Sequence, residues 1–278
     1  MITLGKKQSL IILKKKTFGV YLGTSQEEAK DSVLLPIKQV PKDAMIGDSV
    51  EVFIYRDSMD RLIATTNEPL IKMGEAAVLL VKQVTDIGAF LDWGLEKDLL
   101  LPFKEQTIKA EEGKSYLVAL YIDKSSRLCA TMKVYDYLTT DHHYQKEDRV
   151  GGYIYQINEA FGAFVAVDNR FHGLIPKNEL LSGISIGPIT NARVVVVRED
   201  GKMELSIREK VGQQIDIDAQ KLLDILDRHD GLLPFTEKDA PEVIAKGTGL
   251  SKAAFKRAIG RLLKNRKIEI VNGKIHKC

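Results

Sequence analysis

The chain has 278 residues, of which 44% are hydrophobic and 28% charged, a composition typical of a folded soluble protein with more than one domain. Two cysteines, Cys129 and Cys278, exclude a disulfide framework, and the apolar runs are too short to span a membrane. We therefore expect a cytoplasmic protein without membrane contact. The net charge of +3 conceals an asymmetry, because residues 246–278 carry ten Lys or Arg and one acidic residue, a pattern typical of a polyanion partner.

Three segments of the chain repeat one layout: a glycine among aromatic and apolar residues, then a polar loop, then two apolar residues and a proline. The glycines are Gly19, Gly88 and Gly162, and the prolines are Pro36, Pro102 and Pro176. Thr65 and Thr131 each stand 29 residues after their proline, and Ser206 stands 30 residues after Pro176. The resulting period of about 70 residues suits a small independent barrel rather than a solenoid repeat.

In chain order, each copy contains five short runs of β-branched or aromatic residues, the number of strands in a small Greek-key barrel. In the first copy these runs are residues 10–13, 18–22, 33–35, 50–55 and 62–65, with a polar insertion in the loop at 23–31. Residues 74–132 and 146–208 repeat the pattern. We therefore predict a mainly β multidomain protein with five-stranded barrels at residues 1–66, 67–133 and 146–209.

Between the second and third copies, the polar and aromatic residues 134–145 indicate a solvated linker or a short helix. The adjacent His142 and His143 invite a metal hypothesis. Two neighbouring side chains in regular structure do not easily reach one ion, and no Cys-x-x-Cys or His-x-x-Glu-His spacing accompanies them. We expect neither a metal site nor a cofactor.

After the third copy the apolar residues follow helical spacing, which predicts a different domain at residues 215–278. An apolar stripe at 222–226 ends at Asp230-Gly231, and a second helix is predicted at 237–246. Ser251 is a suitable N-cap for a third helix that reaches Lys264. The residues expected on its apolar face are Phe255, Ile259, Leu262 and Leu263.

Residues 268–276 have the pattern of a β-hairpin with the two-residue turn Asn272-Gly273. Three helices closed by a hairpin predict an α+β winged-helix domain. On its third helix and beyond, the basic side chains that we expect to contact nucleic acid are Lys252, Lys256, Arg257, Arg261, Lys264 and Arg266. A solvated face, or a surface that docks another protein, remains the alternative.

Residues 161–165 have the sequence Phe-Gly-Ala-Phe-Val, and residues 18–22 and 87–91 are their counterparts. Each of these strings is followed, after a polar loop, by two apolar residues and a proline. Together these motifs resemble the S1 domain, an OB-fold nucleic-acid module. Three such barrels followed by a winged helix resemble the conserved virulence factor B (CvfB) family of RNA-binding regulators. The resemblance implies that the aromatic residues of the motif face single-stranded RNA. These are Phe161 and Phe164 in the third barrel, Phe18 and Tyr21 in the first, and Phe90 in the second, where Ile87 replaces the other aromatic residue.

The chain also departs from the S1 pattern, since a proline closes all three motifs where S1 domains usually have histidine. One donor expected at the RNA surface is therefore missing. The interpretation that competes with RNA stacking is that the motif's aromatic rings fill the barrel. Strict alternation along a strand would place Phe161 and Phe164 on opposite faces. A bulge at Gly162 would bring both rings to one side, and we favour surface stacking. Trp93 fits the core and the surface equally well.

Acidic and basic residues nearly balance within each barrel, at 8 Lys or Arg against 8 Asp or Glu in residues 146–208. Stacking on aromatic rings, rather than bulk charge, would then drive binding.

The sequence leaves no room for a catalytic core beside the four domains. We therefore predict a non-catalytic protein that binds single-stranded RNA and regulates gene expression, with DNA or structured RNA as further ligands of the winged helix. An accessory docking factor and an RNA-processing enzyme are the alternatives, and protein partners and oligomeric state stay open.

Overall fold

The structure is a computed structural model that describes residues 1–25, 31–180, 184–208, 211–236, 238–271 and 274–278. The chain divides into two compact units, Met1–Ile207 and Arg208–Cys278. Most of the polar insertion predicted at 23–31, the start of the second predicted helix at 237 and the predicted turn Asn272-Gly273 lie outside the described residues.

Within the described residues, the first unit forms three consecutive groups of five strands. The first group is β1 (Lys7–Lys16), β2 (Gly19–Gly23), β3 (Val33–Pro36), β4 (Ser49–Arg56) and β5 (Leu62–Thr65). The second is β6 (Ala76–Val84), β7 (Gly88–Asp92), β8 (Leu99–Pro102), β9 (Ser115–Ile122) and β10 (Leu128–Thr131). The third is β11 (Arg149–Asn158), β12 (Gly162–Val167), β13 (Phe171–Pro176), β14 (Gly187–Val197) and β15 (Met203–Ser206).

All three groups have the same strand order, which confirms the predicted architecture of three five-stranded barrels. The first and third sheets close, in the orders β1-β2-β3-β5-β4 and β11-β12-β13-β15-β14. Closure depends on a short parallel pairing of β3 with β5 and of β13 with β15. The second sheet, β10-β9-β6-β7-β8, has the equivalent strands β8 and β10 at its two ends.

A side-chain hydrogen bond explains the regular spacing from each proline to a later hydroxyl residue. The buried hydroxyls of Thr65, Thr131 and Ser206 donate to Gln39, Glu105 and Glu179, at 2.8, 2.8 and 2.6 Å respectively. Each acceptor lies three residues after the proline, in the turn that follows the third strand of its barrel. The contact therefore tethers the end of the fifth strand to that turn, including in the second barrel, where the two strands form no ladder.

The glycine of each repeat lies opposite the closing proline, where two backbones approach closely. A Cβ atom added to Gly162 would stand 2.1 Å from the carbonyl oxygen of Ile175, and the equivalent distances at Gly19 and Gly88 are 2.2 and 2.3 Å. Gly162 also has a φ of +124°, which favours glycine. The bulge predicted at Gly162 is wrong, because β12 pairs regularly with β13 and the register shift lies in β11, between Ile154 and Gln156.

Residues of the repeated strand alternate between the barrel interior and its outer face. Ala163, Val165 and Val167 are buried in the core of the third barrel, whereas Phe164 and Ala166 lie on the outer face. The interpretation that the motif's aromatic side chains fill the barrel is therefore wrong for Phe164.

The segment between the second and third barrels contains a short 3₁₀ helix at Tyr135–Tyr137, one of the two predicted alternatives. The segment is packed, so the prediction of a solvated linker is wrong for its apolar residues. Val134 and Leu138 are buried against Tyr153, Tyr155 and further residues of both barrels. Farther along the segment, the His142 Nε2 atom lies 2.7 Å from the carbonyl oxygen of Gly201. His143 is exposed.

Trp93 is a core residue that joins the first two barrels. It is buried, and its ring stands edge-on to those of Phe53 and Tyr55, with centroids 6.0 and 6.2 Å apart. Its indole Nε1 donates to the carbonyl oxygen of Lys97 at 2.6 Å. The core of the second barrel therefore extends onto Phe53 and Tyr55 of the first barrel, which also has a separate core of its own.

The second unit contains three helices and a hairpin. They are α1 (Val211–Arg228), α2 (Pro241–Thr248), α3 (Lys252–Lys264), β16 (Ile268–Val271) and β17 (Lys274–Lys277). Its core includes Leu222, Leu226, Phe255, Ile259 and Leu262.

The Ser251 hydroxyl caps α3 by accepting from the Ala254 N–H at 3.2 Å, as predicted. Leu263, which was predicted on the buried face, is exposed, because it lies one position beyond the buried stripe that ends at Leu262. Among the described helices, none has both the length and the apolar character needed to cross a membrane.

The glycine contact generates a prediction about stability. Gly162→Ala should destabilise the protein by about 1–3 kcal/mol, because the added methyl group meets the backbone and the residue occupies a strained conformation. The matched control is Gly151→Ala in β11 of the same barrel, where an added Cβ would lie 3.4 Å from its nearest neighbour, an ordinary contact. Thermal and urea unfolding of the two variants measures the difference, and equal stabilities would contradict the explanation.

Candidate nucleic-acid interface

The structure brings Phe161 and Phe164 to the same surface of the third barrel. Phe161 immediately precedes β12 and is 62% exposed, whereas Phe164 is half-buried within the strand. Both rings line one surface cavity of about 320 Å³. Alternation does not separate them, because Phe161 lies outside the strand and Gly162, with its positive φ, turns the chain between the two.

Four polar or aromatic residues that the sequence analysis did not select also line this cavity. They are Tyr135, His172, Arg198 and Lys202. The Tyr135 and His172 rings contact each other with centroids 4.7 Å apart, and the Lys202 Nζ lies 5.9 Å from the centroid of the Tyr135 ring. Alternation of side chains along β13 could have identified His172 from the sequence, because it lies two residues before Leu174 and shares its outer face. Tyr135 carries no such signal, since it belongs to the segment interpreted as a linker.

The electrostatics of the cavity are moderate. Lys202 pairs with Asp200 at 3.2 Å, and the Arg198 Nε donates to Glu204 at 2.9 Å. Burial, reinforced by the nearby Lys202 ammonium, lowers the pKa of His172, so its imidazole is neutral at pH 7. The cavity therefore combines aromatic surface with cations that acidic neighbours partly neutralise.

The first and second barrels present related but smaller aromatic surfaces. Phe18 is 52% exposed, and its ring stands edge-on to that of the half-buried Tyr21 at 6.4 Å. Tyr21 pairs with Leu34 in the register in which Phe164 pairs with Leu174.

Phe90 occupies the same register position in the second barrel, opposite Leu100, and is half-buried. The exposed Ile87 stands where the other barrels have phenylalanine. The second barrel therefore offers one ring of the motif where the third offers two.

The six basic residues predicted on the winged helix are of two kinds. Arg261 forms a bidentate ion pair with Asp216 of α1, at 2.6 and 2.8 Å, and the Lys252 Nζ donates to the carbonyl oxygen of Asp239 at 2.9 Å. The remaining four are exposed, and within the described part of the chain no ion pair engages them: Lys256, Arg257, Lys264 and Arg266. Helix α3 thus presents three cations to solvent, with Arg266 just beyond its end, while Lys252 and Arg261 contact other parts of the domain.

The described residues contain no group of three or more His, Cys, Asp or Glu side chains that could hold a metal ion. Burial raises the pKa of the Cys129 thiol to about 11, so this side chain is protonated at neutral pH.

The fold and these surfaces define a class of protein, in which S1 barrels and a winged helix, both nucleic-acid-binding modules, occur on one chain. The family model described as S1 domain matches residues 4–67 and 73–133, which contain the first two barrels. The model described as CvfB-like winged helix domain matches residues 220–276. Both matched families are of nucleic-acid-binding types.

The chain belongs to the conserved virulence factor B family. It is 31% identical over 278 residues to the uncharacterized protein YitL of Bacillus subtilis, covering 97% of this chain and 92% of the relative. It is 28% identical over 239 residues to conserved virulence factor B of Staphylococcus aureus strain MRSA252, covering 83% and 79%.

A solved structure has the same fold over nearly the whole length. It is described as a multidomain protein with nucleic acid binding domains from Streptococcus pneumoniae TIGR4. The TM-score is 0.52 at 23% sequence identity, with 99% of this chain and 98% of the other covered.

Proposed function

We propose that this protein is a non-catalytic cytoplasmic regulator of gene expression that binds single-stranded RNA on the outer faces of its barrels. The third barrel is the principal site, and the basic face of α3 adds contacts to phosphates of RNA or DNA. The observation that supports this proposal best is the position of Phe161 and Phe164 in one open cavity rather than in the barrel interior.

The physical basis of the proposal is stacking. Each base stacked on an aromatic ring contributes about 1–3 kcal/mol, and the contribution tolerates any sequence because every base has a π-face. The ion pairs around the third-barrel cavity leave little net positive charge to attract phosphates. Affinity on the barrels should therefore depend on ring contacts, whereas the exposed cations of α3 supply a component that salt screens.

Substitution of one ring tests the site on the third barrel. Phe164→Ala should weaken binding of a single-stranded oligoribonucleotide by about 1–3 kcal/mol, the value of one stack. Fluorescence anisotropy with labelled oligouridylate measures the affinity, and thermal unfolding measures stability.

The control is Val165→Ala, the adjacent core residue, which should lower stability and leave the affinity of the folded protein unchanged. Unchanged affinity in Phe164→Ala would contradict the proposed site.

The two kinds of basic residue on the winged helix allow a matched comparison. Arg257→Ala should reduce the slope of log affinity against log salt by about 0.7 on single-stranded RNA, the value for one phosphate contact. Arg261→Ala should reduce it less, because its guanidinium is held by Asp216.

Lys124→Ala serves as the control for loss of one exposed charge in the second barrel. The measurement is affinity at several salt concentrations on one RNA and one DNA duplex. If the slopes of all three variants equal that of the wild-type protein on both ligands, α3 does not contact nucleic acid, and a protein-docking role explains the winged helix better.

The absence of catalysis is tested directly. Labelled single-stranded RNA incubated with the protein and Mg²⁺ or Mn²⁺ should stay intact. Cleavage that follows the purified wild-type protein, and that changes on point mutation, would favour an RNA-processing enzyme instead.

A further inference from the structure

The segment between the second and third barrels is fixed on both sides of Tyr135. Val134 and Leu138 are buried, and the Thr139 N–H donates to the carbonyl oxygen of Arg170 at 2.9 Å. The His172 N–H in turn donates to the carbonyl oxygen of Thr139 at 3.2 Å. The Tyr135 ring nevertheless stays 45% exposed. An aromatic ring held in place by its neighbours yet open to solvent loses little conformational entropy when a ligand binds.

Tyr135 belongs to a second group of residues that line the third-barrel cavity. On its own side it contacts the half-buried His172 ring and lies under the Lys202 ammonium group. The other lining residues include Phe161 and Phe164 of the S1-type motif. The lining thus contains two aromatic groups, the motif pair Phe161 and Phe164 and the contacting pair of Tyr135 and His172.

The volume and chemistry of the cavity suit a single nucleotide. About 320 Å³ lies at the lower end of the range for small-ligand pockets, large enough for one base with part of its sugar-phosphate. The neutral His172 imidazole has the Leu138 backbone as one hydrogen-bond partner, which leaves its other ring nitrogen for a base edge. The Lys202 ammonium over the Tyr135 ring offers part of its charge to a phosphate. A base enters such a cavity only when it is unstacked from its neighbours, which favours single strands over duplexes.

We propose that Tyr135 and His172 bind one unstacked base of a single-stranded nucleic acid, with Lys202 against its phosphate. The inter-barrel segment is then part of the binding site of the third barrel, beyond the aromatic pair of the motif. This inference rests on the proposed function, because it assigns a second group of residues to the same site.

The experiment uses the full chain and a single-stranded oligouridylate of about ten nucleotides. Tyr135→Ala should bind about 5- to 150-fold more weakly than wild type, the range for one lost stack. Tyr135→Phe, which keeps the ring, should bind within about threefold of wild type. Ile122→Ala in the second barrel removes a side chain of similar exposure, 42%, and should not change the affinity.

A scan of abasic positions separates base binding from a merely structural role. With wild-type protein, removal of the base at one position should weaken binding. With Tyr135→Ala, removal of the same base should weaken binding by little beyond the loss that the substitution itself causes. Additive losses at every position would overturn the inference, because Tyr135 would then contact no particular base. Lys202→Gln provides a variant outside the packed segment and should lower the salt slope by less than about 0.7, because the Lys202 ammonium also pairs with Asp200. An unchanged slope would remove Lys202 from the site.

The outcome for Phe164→Ala distinguishes this inference from the proposed function. If Phe164→Ala weakens binding and Tyr135→Ala does not, the inter-barrel segment lies outside the site and the proposed function stands. If neither variant weakens binding, both proposals fail.

Discussion

The close approach of two backbones at the repeated glycine is the constraint on which the barrel surfaces depend. At Gly162 the chain passes so near the carbonyl oxygen of Ile175 that a Cβ atom does not fit. This contact fixes the register of β12 on β13, and strand alternation then assigns each side chain to a face. Ala163 and Val165 enter the core, and Phe164 faces outward. The aromatic surface therefore follows from a steric requirement of the backbone.

Outer-face positions of the barrels serve two purposes that compete for the same surface. Each barrel is small and buries a modest core, so packing between barrels adds stability. Ala166 and Tyr153 use the outer face of the third barrel for contact with the second, and the Tyr153 hydroxyl donates to the carbonyl oxygen of Ser115 at 3.0 Å. Trp93 joins the second barrel to the first in the same manner. The outer-face residues beside these contacts, among them Phe164, remain available to a ligand.

Charge is distributed differently from aromatic surface. In the barrels, acidic side chains neutralise many cations locally, as Glu204 does for Arg198. On α3 the exposed cations face solvent, while Arg261 is held by Asp216 as a structural ion pair. Because exposed cations are screened by salt and stacked rings are not, the two units suit different components of affinity for one polyanion.

The sequence alone determined the number of barrels, the order of domains and the N-cap of α3, because these depend on local spacing and alternation. It did not determine the position of Trp93, the ion pair of Arg261 or the pairing of Tyr135 with His172. Each of these joins residues that are distant in the chain, and local periodicity carries no information about which outer faces will meet. The packed inter-barrel segment shows the reason most clearly, since its polar composition predicts solvent exposure and only the two neighbouring barrels bury Val134 and Leu138.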